Sequence, residues 1–379
     1  MSALTGLRVV ELARILAGPW IGQTLADLGA DVIKVESPEG DDTRRWGPPF
    51  IDADGERAAA YFHACNRGKR SIVADFSTAR GCEIVRRLAA QADVLIENFR
   101  IGSLKKFGLD EKRLRGLNPR LVYCSITGFG QTGPYAERAG YDFLIQGMSG
   151  YMDITGDPNG EPQKVGVAIS DLFTALYGVI AIEAALIARE KTGRGQHIDL
   201  ALLDTMGAML ANQAMNYLAS GVAPKRMGNA HPNIAPYQTF PAADGYVIVA
   251  VGNDAQFSRL CGVLGLETLA ADERFASNPS RVANRLALEC EVAARTRLRR
   301  RDELITALGE AVVPAGPINT IANLFADPQF IARGMRIAPE GIPGVRSPIV
   351  MSEGQLALHR RAPKLGEHGR EILREIGLD

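Results

Sequence analysis

Apolar positions in the first half of the chain come as short runs separated by longer periodic stretches. Leu7-Arg8-Val9-Val10-Glu11-Leu12 and Asp31-Val32-Ile33-Lys34-Val35-Glu36 read as strands, joined by a turn at Ala17-Gly18-Pro19 and a helix near Trp20 to Leu28. Together they predict a βαβ unit. Further strands are predicted at Ser71 to Asp75, Asp93 to Asn98 and Leu121 to Ile126, with a helix over Ala79 to Ala90. Such alternation implies a mostly parallel sheet with helices on both faces. The run from Leu172 to Ile187 is apolar nearly all round, the pattern of a helix buried in a large core. One acidic residue, Asp171, stands at the mouth of that helix. A carboxylate there is either a helix cap or a working group.

A glycine-punctuated turn, Lys191 to Gln196, leads into a strand, and a single helix is predicted from about Leu203 to Leu218. The pattern then changes. Gly228 to Pro236 is irregular and turn-rich; Tyr237 to Phe240 and Tyr246 to Ala250 flank Ala243-Asp244-Gly245 as a hairpin. Helical periodicity returns at Ala255 to Leu264 and Arg281 to Leu298. This predicts a large Rossmann-like α/β domain over 1–224, a small α+β domain over 225–330, and a segment, 331–379, that returns to the large one.

Composition narrows the function classes. Across 379 residues Lys plus Arg equals Asp plus Glu, at 43 each, so there is no electrostatic case for nucleic acid or a membrane surface. The basic run Arg297-Leu298-Arg299-Arg300-Arg301 has no interleaved aromatics and reads as a solvated helix end. Five cysteines lie scattered without C-x-x-C spacing, which indicates neither a disulfide frame nor a zinc site. No apolar stretch is read as the roughly 18-residue run a membrane span needs, and the first residues lack the parts of a signal peptide. The expectation is a soluble, cytoplasmic protein. A dinucleotide site is disfavoured, because Ala13-Arg14-Ile15-Leu16-Ala17-Gly18-Pro19 after the first strand has no G-x-G-x-x-G.

Several motifs in fixed order carry more. They are Leu16-Ala17-Gly18-Pro19, Leu28 to Glu36, Asn66-Arg67-Gly68-Lys69-Arg70-Ser71, Glu97-Asn98-Phe99, Ser170-Asp171, Lys191 to Gln196 and Leu365-Gly366-Glu367-His368. As a set they resemble the class III CoA-transferase family (CaiB/BaiF type). The sequence is most similar to the dicarboxylate branch that exchanges CoA between succinyl-CoA and glutarate. That likeness rests on Gly40 to Phe50, Tyr123 to Pro134, Ala139-Gly140-Tyr141-Asp142, Ala235-Pro236-Tyr237-Gln238 and Val313 to Asn319.

The resemblance implies an interlocked homodimer, with coenzyme A as co-substrate, a small carboxylic acid as the other partner, and neither metal nor permanently bound cofactor. It places the family's nucleophilic aspartate at Asp171, with Tyr141 and Asp142 beside it. The family's racemase branch carries histidine where this chain has Tyr141. Tyrosine, with an ordinary pKa near 10, is a poor replacement for that base. By position, Lys69, Arg70, Asn98, Phe99 and Lys106 match family CoA contacts, and Arg14, Ile15 and Leu16 match the pocket mouth. Arg44 or Arg45 is a candidate for the distal carboxylate of a dicarboxylic acid through a bidentate bond. His231, in the loop before Pro232, is a candidate neighbour of the acyl group.

Overall fold

The computed structural model of the chain describes residues 2–53 and 55–378. By internal contacts it divides into two units: residues 1–151, 164–222 and 328–379 form the first, residues 152–163 and 223–327 the second. The short segment 152–163 is far in sequence from the rest of the second unit.

The first unit is built on six strands: β1 (Arg8–Glu11), β2 (Asp31–Glu36), β3 (Arg70–Val73), β4 (Val94–Glu97), β5 (Val122–Thr127) and β6 (His197–Ala201). Every pairing is parallel and the order is β3-β2-β1-β4-β5-β6, the doubly wound arrangement. Both faces are covered, so both parities along a strand are buried. Val94 and Ile96 enter one core with Val9, Val122 and Ile126, while Leu95 enters a second with Val10, Leu121 and Tyr123.

Helix α1 (Ala17–Asp27) begins without a side-chain cap and takes Pro19 in its first turn, where a missing N–H costs little. Gly18 serves close packing: a Cβ there would lie 2.2 Å from the Ala13 Cβ. Gly22 does the same one turn on, where a Cβ would lie 1.9 Å from Glu11 Oε2 of β1. Helix α2 (Ala79–Gln91) is capped by Thr78. Helices α3 (Asp142–Met148), α4 (Ile169–Thr192) and α5 (Leu202–Met209) follow, and α4 stops at Gly193, whose φ of +70° favours glycine. The helix predicted from Leu203 to Leu218 is two helices, α5 and α6 (Ala211–Ser220), broken where Ala211 takes a positive φ of 45°.

Helix α4 corrects two expectations. Ala175, Val179 and Ile182 are buried, but Leu176, Tyr177, Ile180 and Ile187 are exposed. The all-round apolar pattern therefore marks a helix with a second apolar face that this single chain does not cover. By length and composition alone α4 would also suffice to cross a membrane. Its glycine argues for core packing instead: a Cβ on Gly178 would sit 2.3 Å from the Ile21 side chain of α1.

The second unit carries an antiparallel sheet of β7 (Tyr237–Ala242), β8 (Gly245–Ala250) and β9 (Ala315–Pro317). Helices α7 (Asp254–Leu264), α8 (Arg285–Thr296) and α9 (Arg301–Glu310) close its core around Phe240, Val247, Phe257 and Leu304.

Candidate active site

Strand order reverses between β1 and β4, so the loops leaving their carboxyl ends diverge and open a crevice. Asn98 ties the two loops together, accepting the Arg14 N–H at 2.9 Å and donating to the Arg14 carbonyl at 2.7 Å. The next residue, Ile15, has φ +73°, a left-handed conformation that a β-branched residue adopts only under constraint. The constraint comes from below: Lys34 Nζ donates to the Ala13 carbonyl at 3.0 Å, and Asp41 Oδ1 accepts the Ile15 N–H at 3.4 Å. Above this floor lies a cavity of about 410 Å³, whose walls include Arg14, Ile15, Asn98, Phe99, Tyr141 and Asp171.

Asp171 is the third residue of α4. The residue before that helix, Ala168, offers no side-chain cap, and the capping is done from α3. The Asp142 carboxylate accepts the Ser170 N–H at 2.9 Å and the Ser170 hydroxyl at 2.5 Å, and its other oxygen accepts from Gln146 at 2.8 Å. Asp142 thus satisfies the helix start, and Asp171 is released from that duty. Among the described residues nothing hydrogen-bonds to or pairs with the Asp171 carboxylate. Burial, and secondarily the neighbouring Asp142 charge, lift its pKa from the ordinary value to about 7. A carboxylate with few solvent partners and no counter-ion is a reactive one. Tyr141, just before α3, is 64% exposed and presents its phenol to the same cavity, so it is not a half-buried core tyrosine.

The structure places Ile15, Asn98 and Phe99 in the cavity wall and buries Leu16 behind it. Three basic candidates are corrected. Lys69 is fully buried, paired with Glu11 at 2.8 Å and donating to Pro19 and Asn66, with no face left for a phosphate. Arg70 is held by Asp31, Glu371 and Glu375. Arg44 already makes its bidentate bond, to Glu36 at 2.8 Å through both contacts, and also meets Glu56. Lys106 is exposed, stands over Phe107 and is not part of the cavity wall. Arg45 is a surface residue bonded to the Glu39 carbonyl. His231 belongs to the second unit, stacked at a tilt on Tyr237 with its carbonyl held by Arg285.

Three residues were missed. Arg100 and Arg138 line the cavity, Arg138 lying 4.6 Å from the Tyr135 ring centroid. Tyr61 feels Asp171: burial first, then the charge of Asp171, pushes its phenol up to about 12. Charge alone could have nominated the arginines; no local signal distinguishes Tyr61. Among the described residues no group of three His, Cys, Asp or Glu is placed to hold a metal ion.

Comparison with known proteins bears on this site. A model of CoA-transferase family III matches residues 4–369. The chain is 60% identical to the succinate–glutarate CoA-transferase of Agrobacterium fabrum, over 98% of this chain and 95% of that protein. It is 41% identical to the human succinyl-CoA:glutarate CoA-transferase, over 98% of this chain and 86% of the relative. Among solved structures, a CaiB/BaiF family protein from Brucella suis aligns with TM-score 0.90 at 67% identity, covering 99% of both chains.

Proposed function

The chain belongs to CoA-transferase family III, and from that premise we propose that Asp171 carries CoA between succinyl-CoA and a C4–C6 dicarboxylic acid such as glutarate. That the chain is a CoA-transferase follows from its full-length likeness to transferases. The single observation that carries the mechanism is the unpartnered Asp171 carboxylate facing the crevice at the sheet's reversal point.

An oxygen of ionised Asp171 attacks the thioester carbonyl, expelling CoA thiolate and leaving an aspartyl–acyl anhydride. The thiolate then attacks the aspartyl carbonyl, releasing the first acid and forming an aspartyl-CoA thioester. The acceptor carboxylate repeats these steps in reverse, so Asp171 ends as it began. Each stage conserves an activated acyl bond and needs no nucleotide triphosphate. Asp142 orders the start of α4 and raises the energy of the neighbouring carboxylate. Arg14, Arg100 and Arg138 offer cations for CoA phosphates or a distal carboxylate. Tyr141 in place of a second base fits transfer and not racemisation.

Tyr141→Phe should slow turnover about tenfold with little change in KM, the worth of one hydrogen bond made in the transition state. An unchanged rate would leave the phenol a bystander. The reaction itself is tested by mass spectrometry of acyl-CoA products after mixing the protein with succinyl-CoA and a panel of dicarboxylic acids, without ATP. A new acyl-CoA matched by free succinate is the expected result; intact succinyl-CoA across the panel would remove that donor.

The exposed apolar residues of α4, with Met215, Tyr217 and Leu218 of α6, support an interlocked homodimer in which a second copy covers them. Sedimentation of the protein as a monomer would remove it. Five unpaired cysteines, four of them buried, favour a cytoplasmic setting.

A further inference from the structure

Glu97 ends β4, and the two residues after it form part of the cleft wall. It lies on the sheet face shared by Leu95 and Tyr123, opposite the face that carries α4, and is only 6% exposed. Its Oε2 accepts the Phe99 N–H at 2.8 Å. The Ser125 hydroxyl, in register with it on β5, bonds to the same carboxylate and lies 2.9 Å from His197 Nε2 on β6. Three adjacent strands thus contribute one polar group each to a chain that ends under the cleft wall. Beside this chain is a second cavity of about 190 Å³, which shares Phe99, Arg100 and Ile101 with the active-site cavity.

We propose that Glu97 is a positioning residue for the CoA cleft: its carboxylate fixes the Asn98-Phe99 turn, and through Asn98 the Arg14 backbone, in the arrangement that receives CoA. The proposal rests on the reading of that cleft as the CoA site. An ionised Glu97 accepts from both Phe99 N–H and Ser125 O–H, with Ser125 accepting in turn from His197. A protonated Glu97 must send its own proton to Ser125 Oγ, which then donates to His197, and its grip on the Phe99 N–H weakens from a charged to a neutral bond. Burial lifts Glu97 to about 7, with the Ser125 and Phe99 bonds opposing, so both forms occur near neutrality. The groups around it are Tyr123 and Ser125 from β5, His197 from β6, Arg100 and Lys105 after β4, and Asp110, Glu111 and Lys112 along the cavity rim.

The test is calorimetric binding of CoA to Asp171→Asn and to Asp171→Asn/Glu97→Gln, from about pH 5.5 to about 8.5, where a carboxyl near neutrality changes charge. Removing Asp171's titration isolates Glu97, and CoA's own phosphate ionisation is common to both titrations. At the alkaline end the double variant should bind about tenfold more weakly, and the two curves should converge as pH falls through about 7. Ser125→Ala in the Asp171→Asn background should move the inflection upward, because ionised Glu97 loses a donor. Parallel curves, or an inflection unmoved by Ser125→Ala, would overturn the role of Glu97. Failure of Asp171→Asn to bind CoA at any pH would instead overturn the assignment of the cleft.

Discussion

Asp171→Asn should lower CoA exchange by about 10⁴-fold or more, because the amide cannot form the anhydride and no neighbouring group can substitute. The carboxylate whose charge it feels, Asp142, is occupied by Ser170 and Gln146. In the wild-type enzyme only the ionised form attacks, so kcat/KM should fall as pH drops through about 7. The same burial sets the sign of the stability effect. The native pKa lies above the unfolded one, so Asp171 costs nothing below about pH 4 and its full penalty above about pH 7. Replacing it with asparagine should therefore raise the melting temperature at alkaline pH, with the gain fading towards acid. Retained exchange would remove Asp171 from the reaction. A melting temperature that falls at alkaline pH would show the carboxylate to be a structural partner after all.

Lys34→Met should destabilise the first unit by about 3–5 kcal/mol, the usual cost of stripping one partner from a buried ion group. Lys34 and Lys69 are fully buried, with Glu11 between them at 2.9 Å and 2.8 Å, and Lys34 also pairs with Asp41 at 2.9 Å. Two cations face two anions, so the cluster is neutral only as a whole. Asp41 is held down to about 2 chiefly by Lys34, against the upward pull of burial. Lys34 has two anionic partners and its pKa is raised; Lys69 has one, and burial lowers it. Removing Lys34 leaves both carboxylates short of charge, whereas Lys69→Met leaves Glu11 its bond to Lys34. The expected order, Lys34→Met worse than Lys69→Met, is read from denaturant unfolding. Equal or negligible losses would contradict the picture of a shared cluster. Because Lys34 holds the Ala13 carbonyl under the strained Ile15, the folded fraction of Lys34→Met should also bind CoA less well.

Much of the first unit was legible in the chain. Parallel strands buried on both faces read as near-continuous apolar runs, and Val94-Leu95-Ile96 and Val122-Tyr123-Cys124 can hardly be anything else. Helix ends were less so. Nothing at Ala211 itself announces its positive φ, because the stretch's one glycine, Gly207, lies four residues earlier within α5. Among site residues, Asp171, Tyr141, Asn98 and Phe99 stood in recognisable motifs and also meet in space. The basic candidates did not fare equally. A lysine or arginine in sequence is a charge available to anyone, and Lys69, Arg70 and Arg44 had already been claimed by Glu11, Asp31 and Glu36.

The sequence by itself determined the alternation of strands and helices, the break in pattern near residue 225 and the presence of a carboxylate at the mouth of a long helix. These are local matters of periodicity and chain chemistry, carried by neighbours in the chain. Only the tertiary structure decided which of two aspartates caps α4 and which is free, since Asp142 and Ser170 lie 28 positions apart and meet through packing. It also decided which buried charges neutralise one another. Ion pairing depends on distance and on exclusion of water, and neither is a property of a residue or of its neighbours in sequence.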